Sequence, residues 1–291
     1  MKSHMIFAAV IFGIGIGRAM DIQGTISSTL VLNEDSQLVG DVTCTVQGAE
    51  CINVGASDIR LALNGFTMTG QGNPPNGCFA GGPPTNVERG IVVGSQSKVQ
   101  ILGPGLIQGF RGWGIFLNGS TQVSVRHVTV SSNCLSGIQL IANNNDLEGN
   151  ICVRNGSTEA GCGGICLTNS NNNRVRRNLT SGNGYAVMNV VNFGLALEGT
   201  SSGNVFERNT VVGNVNGIWL QPAAANNVVR RNNIMGNPPI GIAASVAGFL
   251  GFDIRNLAPD GANTFENNRC STYSGDSSGG DAPCPNIPLG Q

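Results

Sequence analysis

A glycine heads a short apolar word again and again along this 291-residue chain. The words begin at Gly90 (GIVV), Gly114 (GIFL), Gly137 (GIQL), Gly164 (GICL), Gly194 (GLAL), Gly217 (GIWL) and Gly241 (GIAA), so subtraction gives spacings of 24, 23, 27, 30, 23 and 24 residues. A unit of that size cannot close a core of its own. Units must stack and bury apolar side chains against their neighbours, which makes this a repeat protein and one elongated domain.

The inside of a unit shows how it is built. After Gly217-Ile-Trp-Leu comes a polar turn, then Val228-Val229-Arg230-Arg231-Asn232, then Asn233-Ile234-Met235-Gly236-Asn237. Three β-like pieces alternate with turn residues, and no stretch of helical period competes. Asparagine recurs after the second piece (Asn150, Asn178, Asn209, Asn232) and after the third (Asn133, Asn155, Asn183, Asn214, Asn237). Asparagine tolerates left-handed backbone at a bend, and stacked copies hydrogen-bond as ladders. Composition agrees: 43 glycines supply sharp turns, and 11% charged residues against roughly 25% in an average domain leave a neutral-polar surface.

The x-V-x-x-Asn words at Val175 to Asn178, Phe206 to Asn209 and Val229 to Asn232, with the GIxL heads and the phrase from Asn53 to Gly70, resemble the right-handed parallel β-helix family of pectate lyases and polygalacturonases. The resemblance implies an all-β, single-stranded right-handed parallel β-helix of about eight to ten rungs, each of three short strands. At a strand spacing of about 4.8 Å, such a rod is roughly 40 to 50 Å long.

Four regions are expected: a secretory signal over 1–19, a cap or first rung over 20–50, the β-helix over 51–270 and a Gly/Ser/Pro-rich tail or cap over 271–291. The signal rests on a basic start, an apolar stretch from Met5 to Ile16 and small residues ending at Ala19, too short for a membrane span. Without Lys2 and Arg18 the chain carries 14 basic and 17 acidic residues, a charge of −3, so neither nucleic-acid attraction nor membrane insertion is expected. A secreted, extracellular or periplasmic protein can form disulfides. Of nine cysteines, Cys44 with Cys51 and Cys270 with Cys284 are expected as local pairs, and an odd count leaves at least one thiol free or paired between chains.

Strand alternation points Phe116, Gln139, Cys166, Ala196, Trp219 and Ala243 outward from the first strand, followed by Asn118, Ile141, Thr168, Glu198, Gln221 and Ser245. Long bends at Asn155 to Cys162, Gly184 to Phe193 and Gln71 to Arg89 would wall this face into a groove. Phe116, Trp219 and Trp113 either stack on sugar rings or lie flat beneath an inserted loop. The second strand carries an alternating column, Arg126, Glu148, Arg176, Glu207 and Arg230, the order that minimises like-charge repulsion between rungs. Beside it run His127, Gly149, Arg177, Arg208 and Arg231, either a guanidinium row for acidic sugars or a solvated edge neutralised by Glu148 and Glu207.

Three functions fit. The first is binding of an extended acidic or neutral polysaccharide, with Phe116, Gln139, Trp219, Gln221 and Arg231 as contacts. The second is an enzyme of the same fold: a hydrolase using Glu198 with Glu159, or a lyase using Arg177 or Arg208. The third is a structural or surface protein without catalysis. The polygalacturonase Asn-Thr-Asp, Asp-Asp and Gly-His-Gly words are absent, as is the Asp-Pro-His-Glu word of alginate epimerases. No metal site is expected and calcium stays open as a cofactor, because Asp146 with Glu148 falls short of the six to eight oxygens of a calcium shell. His127 has no nucleophile beside it in the pattern, so no triad is expected.

Overall fold

The computed structural model describes residues 19–72, 88–156, 163–184, 192–237 and 251–275, together with Cys284. The backbone coils through three short strands per turn, each paired in parallel with the strand one turn away. Ten first strands, from Leu30–Leu32 to Tyr273–Ser274, form one sheet in chain order. Nine steps at about 4.8 Å carry that sheet roughly 43 Å along the axis. The second and third strands make the other walls. They merge at the N-terminal end through Ser36–Cys44, which pairs with both Arg60–Ala62 and Thr67–Thr69.

The coil begins before residue 51. Met20–Ile26 pairs in parallel with Ser36–Cys44, and Leu30–Leu32 with Glu50–Val54, so this stretch adds turns to the same spiral. At the other end the expected seventh head word, Gly241, lies outside the described residues. The strand that pairs with Asn216–Leu220 is Ile254–Asn256, with Ile218 opposite Ile254. Arg255 therefore takes the outward place expected of Ala243.

Period-two alternation builds the core. The middle residue of each second strand points inward, giving a buried column Leu61, Ile101, Val125, Leu147, Val175, Phe206, Val229 and Phe265. First strands add Ile and Leu pairs such as Ile138 with Leu140 and Ile218 with Leu220, all fully buried. The resulting interior is one continuous apolar cluster.

The glycine heads answer to space. A Cβ on Gly90 would strike the carbonyl oxygen of Gly114, one on Gly164 that of Gly194, and one on Gly217 that of Asp253. On Gly137 it would sit 2.8 Å from Asn155 Nδ2. The head word needs glycine because the rungs and the asparagine stack leave no room for a side chain.

Asparagine ladders hold the corners. After the second strand, Asn150, Asn178, Asn209, Asn232 and Asn268 are linked, each Nδ2 donating to the Oδ1 of the next at 3.0 to 3.1 Å. After the third strand, Asn133, Asn155, Asn183, Asn214 and Asn237 are linked in the same way at 2.8 to 3.2 Å. A third ladder, absent from the sequence reading, follows the first strand: Asn145, Asn173, Asn204, Asn227 and Asn263. Its signal was an interval of five residues, as in Asn173, Asn178, Asn183 and Asn204, Asn209, Asn214. One ladder ends on a carboxylate. Asp253 Oδ1 accepts from Asn237 N and Nδ2, and its Oδ2 accepts from the amides of Ser271 and Thr272.

Two disulfides pin opposite ends of the rod as expected: Cys44 with Cys51, Cα atoms 5.8 Å apart, and Cys270 with Cys284, 5.2 Å apart.

Candidate functional site

The outward face of the first-strand sheet carries two rows, and only one is open. Phe116, Gln139, Cys166 and Ala196 occupy consecutive rungs in register, yet they are 8%, 7%, 1% and 0% exposed. This corrects the picture of Phe116 and Gln139 as lining an open groove. Trp113 lies on Phe116 with ring centroids 4.7 Å apart, and the Arg89 guanidinium sits 5.4 and 5.8 Å from the two rings. Trp219 is half-buried and stacks on Phe193 at 4.2 Å, closing a small apolar cluster with Cys166 and Ala196 outside the main core. Of the two aromatic readings, layering onto other residues describes Phe116, while Trp219 keeps part of its ring exposed.

The neighbouring row is accessible: Asn118, Ile141 (41% exposed), Thr168, Glu198 and Gln221 follow one another rung by rung. A chain of hydrogen bonds crosses it. Gln139 Nε2 donates to Thr168 Oγ1 at 3.0 Å, and Thr168 Oγ1 donates to Glu198 Oε2 at 2.7 Å. Gln221 Oε1 accepts from the Gly199 amide at 2.8 Å. Buried Gln139 thus acts from beneath, orienting the threonine that fixes Glu198. Glu198 is the one carboxylate on this row among the described residues. Glu159, expected as its partner, lies outside them.

At the N-terminal end of the same sheet is a cluster that sequence reasoning missed. Glu88 is fully buried, accepts from the Gln71 amide at 2.7 Å and pairs with Arg111 at 3.4 Å. Arg89 pairs with Glu50 at 3.6 Å. The signal was the adjacent opposite charges Glu88-Arg89 at a strand start, where one side chain points in and the next out.

The second-strand corner is rich in charge. Arg126, Glu148, Arg176, Glu207 and Arg230 stand in register, as the alternating column required, and Glu266 follows. Arg176 meets Glu148 at 2.9 Å and Asp146 at 3.0 Å, and Arg230 meets Glu207 at 3.3 Å. Arg177 pairs with Glu148 at 2.9 Å, while Arg208 and Arg231 lie 4.0 and 3.8 Å from Glu207. The corner is charged in excess of these pairs. Burial pushes the Glu207 carboxyl up, but the Arg230 hydrogen bond and the charges of Arg230, Arg208 and Arg231 outweigh it and hold the group below its usual range. Asp146 is likewise held low: burial raises it, and Arg176 and Arg126 outweigh that. The hydrogen bonds that Arg176 donates to Asp146 in turn raise the arginine.

Arg177, Arg208 and Arg231 therefore lie on this corner, on another wall from Glu198. No cluster of three or more His, Cys, Asp or Glu residues suited to a metal occurs among the described residues. Asp146 and Glu148 are engaged by arginine.

Residues 89–268 match the family model described as the right handed beta helix region, and the chain belongs to that family. The fold is a right-handed parallel β-helix. No curated protein matches the chain in sequence. Among solved structures, the Dettilon tailspike protein is 16% identical, with a TM-score of 0.59 over 84% of this chain and 53% of its own. The enzymatically active domain of bacteriophage CBA120 tailspike protein 2 is 12% identical, with a TM-score of 0.59 over 87% of this chain and 41% of its own. This chain thus spans about half the length of these structures, and at such identity they share its fold. The A-module of a mannuronan C-5 epimerase from Azotobacter vinelandii is 12% identical, with a TM-score of 0.48 over 88% of this chain and 85% of its own.

Proposed function

We propose that the protein is exported and binds an extended polysaccharide along the open row of the first-strand face. The observation that carries this is the row itself: Asn118, Ile141, Thr168, Glu198 and Gln221 repeat at rung spacing beside the half-buried Trp219. Such a row offers amide, hydroxyl and apolar contacts in a straight line, which suits a repeating, hydroxyl-rich chain. Trp219 presents what is left of its ring to a sugar face, and Gln221 and Glu198 supply polar contacts. Phe116 and Gln139 act from below, the first as support and the second through Thr168. The disulfides at both ends suit an oxidising compartment.

The direct measurement is retention of the full chain in gels containing neutral and acidic glycans. Trp219→Ala and Gln221→Ala each weaken retention by about tenfold if this row is the site, in line with the loss of one central contact. Retention on no glycan, or retention indifferent to both changes, rejects the reading.

A second reading has one observation in its favour. Glu198 is the sole carboxylate on the open row among the described residues, and Thr168 holds one of its oxygens, as a hydrolase would require of an acid or base. A hydrolase needs a second carboxyl about 5 to 9.5 Å away, the place expected of Glu159. Release of reducing ends from a glycan panel, abolished by Glu198→Gln, supports it. No release, together with no ultraviolet signal from unsaturated ends, leaves binding alone.

A further inference from the structure

The second-strand corner is more than an ion-pair ladder. Six arginines (Arg126, Arg176, Arg177, Arg208, Arg230, Arg231) meet three carboxylates (Asp146, Glu148, Glu207), and with Glu266 next in the column the corner keeps a surplus of two positive charges on a chain whose formal net charge is −1. The two signs lie at different depths. The carboxylate side chains are 24%, 14% and 9% exposed, whereas those of Arg177, Arg208 and Arg231 are 57%, 49% and 53% exposed. The acids form an inner layer and the guanidinium groups the outer one.

These three arginines are also aligned. Each follows a second strand with φ of 56°, 55° and 54°, so their side chains leave the backbone in the same direction from consecutive turns. Their amides bond to the next turn at 3.1, 3.2 and 2.8 Å, which fixes the register. The result is a column of three arginines whose backbones stand one rung, about 4.8 Å, apart, with guanidinium groups that gather over Glu148 and Glu207. Each group has five N–H donors. Arg177 uses one terminal nitrogen on Glu148 at 2.9 Å, and Arg208 and Arg231 approach Glu207 no closer than 4.0 and 3.8 Å.

We propose that this arginine column is a second binding site, separate from the first-strand row, for an extended polysaccharide that carries an anionic group on successive sugars. A sugar unit has a length comparable to one rung, so a carboxylate or sulfate can meet each guanidinium in turn through paired hydrogen bonds. The inner acids keep the arginines from moving apart without neutralising them. Single-stranded nucleic acid fits less well, because it is held by stacking on aromatic rings. The flanking positions are Arg174, Val205 and Val228 on one side and Leu179, Thr210 and Asn233 on the other. Binding needs no divalent cation, since guanidinium supplies the positive charge.

The test is affinity electrophoresis of the full chain in polygalacturonate, dextran sulfate, neutral dextran and single-stranded DNA, with and without EDTA. Retardation by one or both anionic glycans, insensitive to EDTA and weakened by salt, is expected, with none in dextran. Which of the two retards identifies carboxylate or sulfate as the ligand group. The variant R177N/R208N/R231N should bind at least about tenfold more weakly. Asparagine suits these positions because Asn267 occupies the same column with φ of 51°. R177K/R208K/R231K keeps the charge and loses the planar fork, so it should fall between the two and decides the matter if the asparagine variant fails to fold. The salt-sensitive part of the retardation, which the asparagine variant loses, should persist in Trp219→Ala, whatever that change does to retention by the first-strand row, and this separates the two sites. Retardation by neither anionic glycan, equal retardation by DNA, dependence on a divalent cation or an unaffected arginine variant would overturn the proposal.

Discussion

At the scale of the residue, asparagine sets the geometry of the corners. The side chain of Asn178 is 1% exposed, accepts from both N and Nδ2 of Asn150 at 2.8 and 3.0 Å, and donates to Leu147 O and Asn209 Oδ1. Every polar atom of the amide is used, and the group below depends on it. Asn178→Ala removes four hydrogen bonds, leaving the Asn150 backbone N–H buried without an acceptor and its Nδ2 with Val125 O alone. A loss of about 2 to 3 kcal/mol is expected, because orphaned buried groups cost more than a lost bond contributes, and urea unfolding measures it. The same burial bears on the Asn-x-Ser/Thr words. Asn155 and Asn178 are each 1% exposed, while Asn118 lies open on the first-strand face. Sequence showed the asparagines after the second and third strands. It did not reveal the ladder after the first, because Asn144-Asn145 and Asn172-Asn173 read equally well as loop composition.

At the scale of the element, the second-strand column makes stability depend on pH. The Glu207 and Asp146 carboxyls are both held below their usual range, so they favour the folded state when ionised. That contribution is complete above the pKa of the unfolded chain, about 4, and is lost as pH falls through the lowered folded-state values. Thermal melts should therefore show a plateau at neutral pH and a decline beginning near the ordinary carboxylate range. Glu207→Gln should lower the plateau and make the acid decline shallower. A variant with the same acid slope as the unaltered protein would remove Glu207 as a source. The alternating signs were legible in the sequence as one residue per repeat. The depth difference between acids and arginines was not, since it follows from side-chain length on a curved corner.

At the scale of the whole molecule, a solenoid has two ends that its repeats cannot protect, and among the described residues one disulfide stands at each. Cys44 and Cys51 bridge 7 residues and Cys270 and Cys284 bridge 14. Each closes a short loop worth about 2 to 3 kcal/mol in the chain-entropy estimate. Replacing Cys44 and Cys51 together by serine should lower the melting temperature and expose the N-terminal turns first, seen as faster amide exchange over residues 20–54 than over the central rungs. Uniform exchange along the rod would show that the bridge does not guard the end.

The sequence by itself determined the coil. A glycine-headed apolar word every two dozen residues leaves stacking as the only way to bury it, and the period-two pattern fixes which side chains face the core. What only the tertiary structure decided is which outward side chains remain outside. Alternation turned Phe116 and Gln139 outward, yet Trp113, Arg89 and the packing of neighbouring rungs cover them. The accessible row moved one step along the strand, to Asn118, Ile141, Thr168, Glu198 and Gln221. Local periodicity reports the direction of a side chain. Exposure depends on what distant parts of the chain lay over it, and that is settled only when the turns are stacked.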